Sequence, residues 1–261
     1  MENKEDLYVI GFPKSGNTWL ARLLSDITNS KIYVESDNDK INNSENSDDK
    51  NGNYVIHKIH VINDLDKVLK SKKVYIVRDP RAVIVSGFFH NYRNISEERI
   101  KSNIIYKLLF DLEIQNLSKS WNKTLAHFKN LFLIRLKGNF LFFPKVNSWS
   151  SHVKHWTHFN DVVIVRYEDL LDNTFMELKR ILDELNIIYN NEELIKVIEN
   201  QSFSKKKKEF LEKGDTENAK FLRSGDKESW RKLLTHKLQK KIEISHKEMM
   251  KKFGYQTETI D

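Results

Sequence analysis

The sequence has no cysteine, which excludes disulfide bonds and any metal site built from thiolates. It also lacks an apolar run long enough to cross a membrane, because the most apolar region, residues 131–143, is interrupted by Arg135 and Lys137. The opening residues, MENKEDLYVIGF, carry acidic side chains and no long apolar core, unlike a secretory signal. We therefore expect a cytoplasmic protein without a membrane partner.

The composition is that of a globular protein with a well-solvated surface. Of the 261 residues, 39% are hydrophobic and 31% are charged, which is enough apolar material for a full-sized core. Lysine and arginine number 44 against 37 acidic residues, giving a net charge of +7. This excess favours an anionic ligand, such as a phosphate or a sulfate, without identifying it.

The apolar pattern predicts strands that alternate with helices. Residues 7–10 form a short apolar run before Gly11, and apolar side chains recur at helical spacing between residues 19 and 27. Further strands are predicted at 54–60, 73–77 and 162–165, with helices at 65–69 and 175–185. We expect one α/β domain spanning residues 1–261, with a central, mostly parallel sheet flanked by helices and a P-loop-like strand, loop and helix at its start.

Three segments depart from this alternation. Residues 35–53 are rich in Asn, Asp, Ser and Lys, which predicts a flexible polar loop. Residues 93–145 have a long helical pattern and an aromatic tail, and we assign them as a helical insertion on the acceptor side of the site. Residues 201–229 are basic and contain glycine, and we expect a loop that covers the nucleotide.

Residues 11–19, GFPKSGNTW, lie between the first predicted strand and helix. Glycine permits close approach of the backbone, the helix N-terminus attracts an anion, and Lys14 adds a full charge. These residues therefore predict a phosphate-binding loop. The nucleoside-triphosphate pattern places a lysine after its second glycine, whereas Lys14 precedes Gly16.

Lys58 and His60 close the second predicted strand. The period of two places both side chains on one face of the sheet and His57 on the other. That face then combines a positive charge with a group that titrates near physiological pH. A buried structural histidine is the alternative interpretation of His60.

Two other functional classes remain open from the residues alone. One is an ATP-dependent phosphotransferase with a variant phosphate loop, although no strand end carries the acidic pair that would hold magnesium. The other is a nucleic-acid binder, which the net charge suggests but which no clustering of basic and aromatic residues supports. We expect neither, and no nucleic-acid partner.

Several segments resemble the family of sulfotransferases that use 3′-phosphoadenosine-5′-phosphosulfate (PAPS), and they occur in the family's order. They are FPKSGNTW at 12–19, RDPRAVIVS at 78–86, SWSSHVKHW at 148–156, RYEDL at 166–170, QSF at 201–203 and FLRSG at 221–225. The resemblance implies a small-molecule sulfotransferase that binds PAPS as donor and releases the bisphosphate PAP, with no metal. It also implies which residues hold the donor: Lys14, Ser15, Gly16, Asn17, Thr18, Trp19, Arg78, Ser86, Tyr167, Phe203, Arg223, Ser224 and Gly225.

Two positions depart from the family's glycine-rich 3′-phosphate loop. Ser224 stands where the family has lysine, and Glu228 stands where it has a second glycine. The expected clamp on the 3′-phosphate is therefore weaker or differently arranged.

The resemblance also implies catalytic roles. His60 would deprotonate the acceptor, Lys58 would help stabilise the transferring group, and Lys14 would neutralise the leaving phosphate oxygen in an in-line displacement at sulfur. An acceptor pocket is expected from Phe12, Phe89, His152 and Phe143.

The acceptor is expected to be a small molecule with a hydroxyl or an amine. Acidic residues at 35–49, together with Glu97, Glu98, Asp111 and Glu113, favour a cationic one, and the chain resembles tailoring sulfotransferases for guanidinium alkaloids of the saxitoxin type. The sequence leaves open whether oxygen or nitrogen is sulfated and whether the protein is a monomer or a homodimer.

Overall fold

A computed structural model describes residues 4–34, 50–60, 65–91, 97–102, 104, 107–108, 110–111, 148–216, 219 and 226–257. The chain divides into two compact units. The first, here the sheet unit, comprises Met1–Val77 and His155–Arg223; the second, the helical unit, comprises Arg78–Lys154 and Ser224–Asp261.

The sheet unit is built on five parallel strands. They are β1 (Glu5–Gly11), β2 (Lys31–Val34), β3 (Tyr54–Ile59), β4 (Lys72–Val77) and β5 (Val163–Arg166), in the spatial order β2-β3-β1-β4-β5. The predicted α/β fold with a parallel sheet is confirmed. Because β1 is central, the residues that follow it lie at the middle of the carboxyl edge, where α/β proteins bind ligands.

Helices connect and flank the strands. Within the described residues they are α1 (Asn17–Ile27), α2 (Leu65–Leu69), α3 (Pro80–Asn91), α4 (Glu97–Ser102), α5 (Trp149–Trp156), α6 (Tyr167–Asp172), α7 (Thr174–Glu184), α8 (Asn191–Asn200), α9 (Phe203–Glu212) and α10 (His236–Lys252), with a 3₁₀ helix at Ser229–Lys232. In the part of the chain that is described, no helix is both long and apolar enough to span a membrane.

Alternating side chains of the central strand fill both sides of the sheet. Leu7 and Val9 are fully buried in one core cluster with the apolar faces of α1, α7 and α8. Between them, Tyr8 points to the opposite face and stacks on His57, with ring centroids 4.6 Å apart. Burial on both faces is typical of parallel strands. It explains why residues 7–10 of β1 are all apolar instead of alternating with polar residues.

Strand β2 was not predicted from the sequence. Its four residues, KIYV, are separated from the end of α1 by three residues, and so short a segment shows no clear periodicity. The structure also places β1 between β3 and β4, so these two strands are parallel, as predicted, without being neighbours.

The expectation of a loop throughout 201–229 is wrong for its first half, because Phe203–Glu212 forms α9. Ion pairs at helical spacing stabilise this helix: Glu209 accepts from Lys206 at 2.8 Å and from Lys213 at 2.7 Å. These hydrogen bonds lower the pKa of Glu209 to about 2.

The predicted polar loop at 35–53 and the predicted insertion at 93–145 are described only in part. Residues 50–53, at the end of the predicted polar loop, are anchored: the amide of Gly52 donates to the carbonyl of Asn29 at 2.7 Å. Residues 35–49 of that loop and 112–145 of the predicted insertion lie outside the described residues. The roles assigned to these segments stay predictions.

The start of α3 organises the helical unit. Asp79 caps the helix, since its Oδ1 accepts from the amide of Arg81 at 2.8 Å, and Pro80 occupies the first helical position, which favours it. The guanidinium of Arg81 then donates to Asp79 at 2.7 Å and to Glu243 of α10 at 2.6 Å, and lies 4.0 Å from the ring centroid of Trp230.

This cluster is shielded from water, because Arg81, Asp79 and Glu243 are 4%, 6% and 2% exposed. Burial acts to lower the pKa of Arg81, but its hydrogen bonds and the two carboxylates outweigh that effect and raise the pKa. Arg81 is therefore a charged link between α3, the 3₁₀ helix and α10.

We expect Arg81→Met to lower the free energy of unfolding by about 3–5 kcal/mol, because it removes the charged partner that two buried carboxylates share. The measurement is equilibrium denaturation in urea. Arg231 is the matched control, since it contacts the same ring at 4.5 Å but is half exposed and paired with Glu228. Arg231→Met should cost under about 1 kcal/mol, and equal losses for the two variants would contradict the role of Arg81.

Candidate active site

A tight turn joins β1 to α1 at the carboxyl edge of the sheet. The amide of Ser15 donates to the carbonyl of Phe12 at 3.1 Å, and both Lys14 and Gly16 adopt positive φ, at 71° and 107°. A Cβ atom on Gly16 would lie 2.6 Å from the ring of Tyr167. Glycine is therefore required here both by the backbone conformation and by the close packing of Tyr167.

The turn has the features of an anion site. The first amides of α1 lack partners within the helix, and the helix dipole places positive potential there. The hydroxyl of Ser15 is fully buried and has no hydrogen-bond partner among the described residues. Because a buried hydroxyl without a partner is costly, Ser15 indicates that a polar ligand completes the turn.

His60 lies against the beginning of this turn. Its Nδ1 is 2.7 Å from the carbonyl oxygen of Gly11 and 3.0 Å from Nδ2 of Asn17. The same Nδ2 donates to the Gly11 carbonyl at 2.9 Å. The imidazole is thus held at the end of the central strand, beside the first residue of α1.

Lys58 lies on the same side of β3, as the alternation of side chains predicts. Its Nζ donates to the hydroxyl of Thr18 at 3.2 Å. His57 turns to the other side, where its Nε2 is 2.6 Å from Asp6. Burial acts to raise the pKa of Asp6, but hydrogen bonds from His57 and Lys67 outweigh it and lower the pKa.

Aromatic side chains surround the turn. Tyr167, the first residue of α6, packs on Gly16, and its ring meets that of Trp19 edge to face with centroids 6.0 Å apart. The segment RYEDL, which resembles a turn of the sulfotransferase family, forms a short helix instead. Trp19 and Tyr167 therefore place two aromatic rings next to the anion site.

Phe203 begins α9 and is half-buried. The segment before it is attached to α1, because Nε2 of the buried Gln201 donates to Asp26 at 2.5 Å. The guanidinium of Arg22 lies 5.5 Å from the ring centroid of Phe210 and attaches α9 to the same helix. Sequence analysis missed both anchors, since each joins positions far apart in the chain.

Other predicted site residues lie in the helical unit. Arg78 precedes α3, and its carbonyl accepts from the indole of Trp149 at 3.1 Å. Ser86 and Phe89 lie further along α3 and are half-buried. His152 lies on α5 and is 8% exposed.

Four predicted site residues, Phe143, Arg223, Ser224 and Gly225, lie outside the described residues. Phe12 is only 2% exposed, so its ring is part of the interior. Glu228 is described, and its amide donates to Oδ1 of Asp226 at 2.8 Å. The roles of these residues stay predictions.

Comparison with known proteins places this arrangement in a family. The profile of the sulfotransferase domain matches residues 4–254. Sulfotransferase 2A1 of Mus musculus is 26% identical over 262 residues, covering 89% of this chain and 79% of the mouse protein.

Solved structures share the fold. The structure of a mouse sulfotransferase complexed with PAP matches with a TM-score of 0.58 and 24% identity, over 96% of this chain and 84% of that one. Retinol dehydratase in complex with androsterone and PAP matches with the same TM-score of 0.58 and 17% identity, over 94% and 80%. Since the domain profile extends over nearly the whole sequence, the chain belongs to the sulfotransferase domain family.

Proposed function

We propose that this enzyme transfers a sulfuryl group from PAPS to a hydroxyl or an amine of a small acceptor, with His60 as the general base. The observation that carries the proposal is the position of His60 and Lys58 beside the anion-binding turn. Family membership supplies the reaction class, and the geometry supports the assignment of groups within it.

The sheet unit fits the phosphosulfate end of PAPS. The buried hydroxyl of Ser15 is available to a phosphate oxygen, and Gly16 lets the backbone approach it closely. Lys14 and the first amides of α1, including those of Asn17 and Thr18, supply further donors and positive charge.

The remaining donor contacts are proposed from the resemblance. Trp19, Tyr167 and Phe203 would enclose adenine. Arg78 and Ser86 would hold the 3′-phosphate, since Arg78 directly precedes α3 and Ser86 lies about two turns into it. Arg223, Ser224 and Gly225 would cover it. The PAP complexes of the structural relatives agree with this ligand class.

The proposed reaction is an in-line displacement at sulfur, for which PAPS supplies the activated sulfuryl group. His60 removes the proton of the acceptor as the new bond to sulfur forms. Lys58, held by Thr18, stabilises the charge on the sulfuryl oxygens, and Lys14 neutralises the leaving phosphate oxygen. Because lysines provide the positive charge, the scheme requires no metal ion.

We further propose a cationic acceptor, with a guanidinium alkaloid of the saxitoxin type as the specific candidate. Asp111 supports a cation, because its Oδ1 is buried and has no hydrogen-bond partner among the described residues. Burial raises the pKa of Asp111, an effect that the charge of Lys107 opposes. A guanidinium group would donate a charge-assisted hydrogen bond to this buried oxygen. Phe89, Phe143 and His152 are proposed to line the apolar part of the pocket.

Binding of the donor is tested by isothermal titration with PAP in the presence of a chelator, beside ATP with magnesium. We expect PAP to bind without metal and more tightly than ATP, because the turn lacks the lysine that follows the second glycine in ATP-binding loops. Failure to bind PAP, or a preference for magnesium ATP, would overturn the donor assignment and favour the phosphotransferase.

The general base is tested by His60→Ala. The variant should lower kcat by about 10²–10⁴-fold, the usual contribution of a general base, while the Kd for PAP stays unchanged. His57→Ala is the matched control, because His57 lies on the same strand but faces Asp6; its kcat should equal that of the wild type. Full activity of folded His60→Ala would remove the assignment.

The acceptor class is tested with a hydroxylated guanidinium alkaloid, a hydroxysteroid and an aryl amine, with products followed by mass spectrometry. We expect the alkaloid to be sulfated with the highest kcat/KM, and Asp111→Asn to raise KM for the alkaloid while leaving KM for the steroid unchanged. Preference for the steroid, with no effect of Asp111→Asn, would replace the cationic acceptor by an apolar one.

A further inference from the structure

The helix α10 has one apolar face and one basic face. The apolar face is buried in the helical unit, where Leu238, Ile242 and Met250 are at most 3% exposed. On the opposite side of the helix, polar residues recur at spacings of three and four. This side, here the basic face, is formed by Ile244 and five lysines, Lys237, Lys240, Lys241, Lys247 and Lys251, of which Lys241 is half-buried and the others are exposed.

Little negative charge opposes these lysines within α10, which is described along its whole length. Glu243 lies on the buried side and pairs with Arg81. Glu248 is next to the basic face, but its Oε1 is 3.6 Å from Nζ of Lys154 on α5. The basic face therefore carries an excess of positive charge along its length.

The other charged helices are built differently. On α7, Arg180 donates to Glu177 at 2.8 Å and to Glu184 at 2.7 Å, and lysines of α9 pair with glutamates at the same spacings. Alternation of charge along a helix is typical of a face that contacts only water. The single sign on α10 instead favours an anionic partner.

The length of the helix sets the size of that partner. Seventeen residues at about 1.5 Å each give a helix of roughly 25 Å. Because the apolar face is packed into the core, the lysines are presented in one row along this length. The partner must therefore offer many negative groups over a similar distance, without the fixed geometry that a single small anion would need.

The one apolar side chain of the basic face narrows the choice. Ile244 lies in the middle of the lysines and is 58% exposed. A stable protein interface concentrates apolar and aromatic residues and is depleted in lysine, unlike this face. The phosphates of a nucleic acid would attract the lysines but give Ile244 no apolar contact, whereas a lipid surface provides both anionic headgroups and an apolar boundary beneath them.

We propose that the basic face of α10 docks the protein on an anionic membrane surface. The lysines contact the negatively charged headgroups, and Ile244 reaches the boundary between headgroups and acyl chains. The helix lies parallel to the membrane, because its other face stays in the protein core. The sequence-based expectation of no membrane partner rested on apolar runs, which a helix bound at the surface does not require.

Docking is tested by sedimentation of the full chain with vesicles of phosphatidylcholine, with and without phosphatidylserine. We expect binding to the vesicles that contain phosphatidylserine and its loss as salt is raised. Replacing Lys237, Lys240 and Lys251 together by glutamine should lower the partition coefficient roughly 100-fold, because each lysine near an anionic surface contributes roughly fivefold. No binding of the wild type to either vesicle would overturn the proposal.

The matched control replaces Lys70, Lys101 and Lys196 by glutamine. These lysines are exposed outside α10, and the net charge falls by the same amount. This variant should bind within about threefold of the wild type, because charges far from the surface are screened. Equal losses for the two triple variants would mean that net charge alone drives binding, and the basic face would have no specific role.

Ile244→Ser separates a lipid surface from a nucleic acid. It should weaken vesicle binding by roughly 3- to 10-fold, since an apolar side chain loses its contact, and leave binding to duplex DNA unchanged. Tighter binding of the wild type to DNA than to vesicles, with no effect of Ile244→Ser on either, would assign the basic face to nucleic acid and overturn the proposal. None of its residues belongs to the proposed donor or acceptor site, so titration with PAP tests the proposed function separately.

Discussion

The site depends on how the central strand ends. Gly11 is paired in register with Ile76 of β4, which fixes the direction of its carbonyl, and the absence of a side chain lets Asn17 lie directly against it. The turn that starts there delivers Lys14, Ser15 and Gly16 to the same edge. The backbone of Gly11 therefore determines where the anion-binding turn begins and where the imidazole of His60 lies.

Much of this arrangement follows from local sequence patterns. A buried parallel strand is a continuous apolar run, and the period of two along β3 separates Lys58 and His60 from His57 without any tertiary information. The turn was recognisable because Gly11, Lys14 and Gly16 lie between a predicted strand and a predicted helix. The positive φ of Gly16 and its packing against Tyr167 then explain the second glycine. Features of this kind are encoded within about ten residues and are therefore readable from one sequence.

What sequence reasoning missed depends on contacts between distant positions. Gln201 reaches Asp26, and Arg81 reaches Glu243, pairings that no local periodicity reveals. The helix α9 was missed for a different reason. Its run of lysines is typical of a solvated basic loop, whereas in the helix Lys206 pairs with Glu209 and Lys208 with Glu212. The preference of Asn17 for the carbonyl of Gly11 likewise becomes visible only when the strand end is seen in three dimensions.

The spatial order of the strands bears on how the protein is made. Of the five strands, the one that comes first in the sequence lies in the middle of the sheet, and its neighbours β3 and β4 begin only at Tyr54 and Lys72. Strand β5, at Val163–Arg166, pairs with β4 later still. Pairings this distant are slow to form, and unpaired apolar strands promote aggregation. Strand β1 therefore stays without its two neighbours until Val77 has been synthesised, an interval in which a chaperone would protect its apolar side chains.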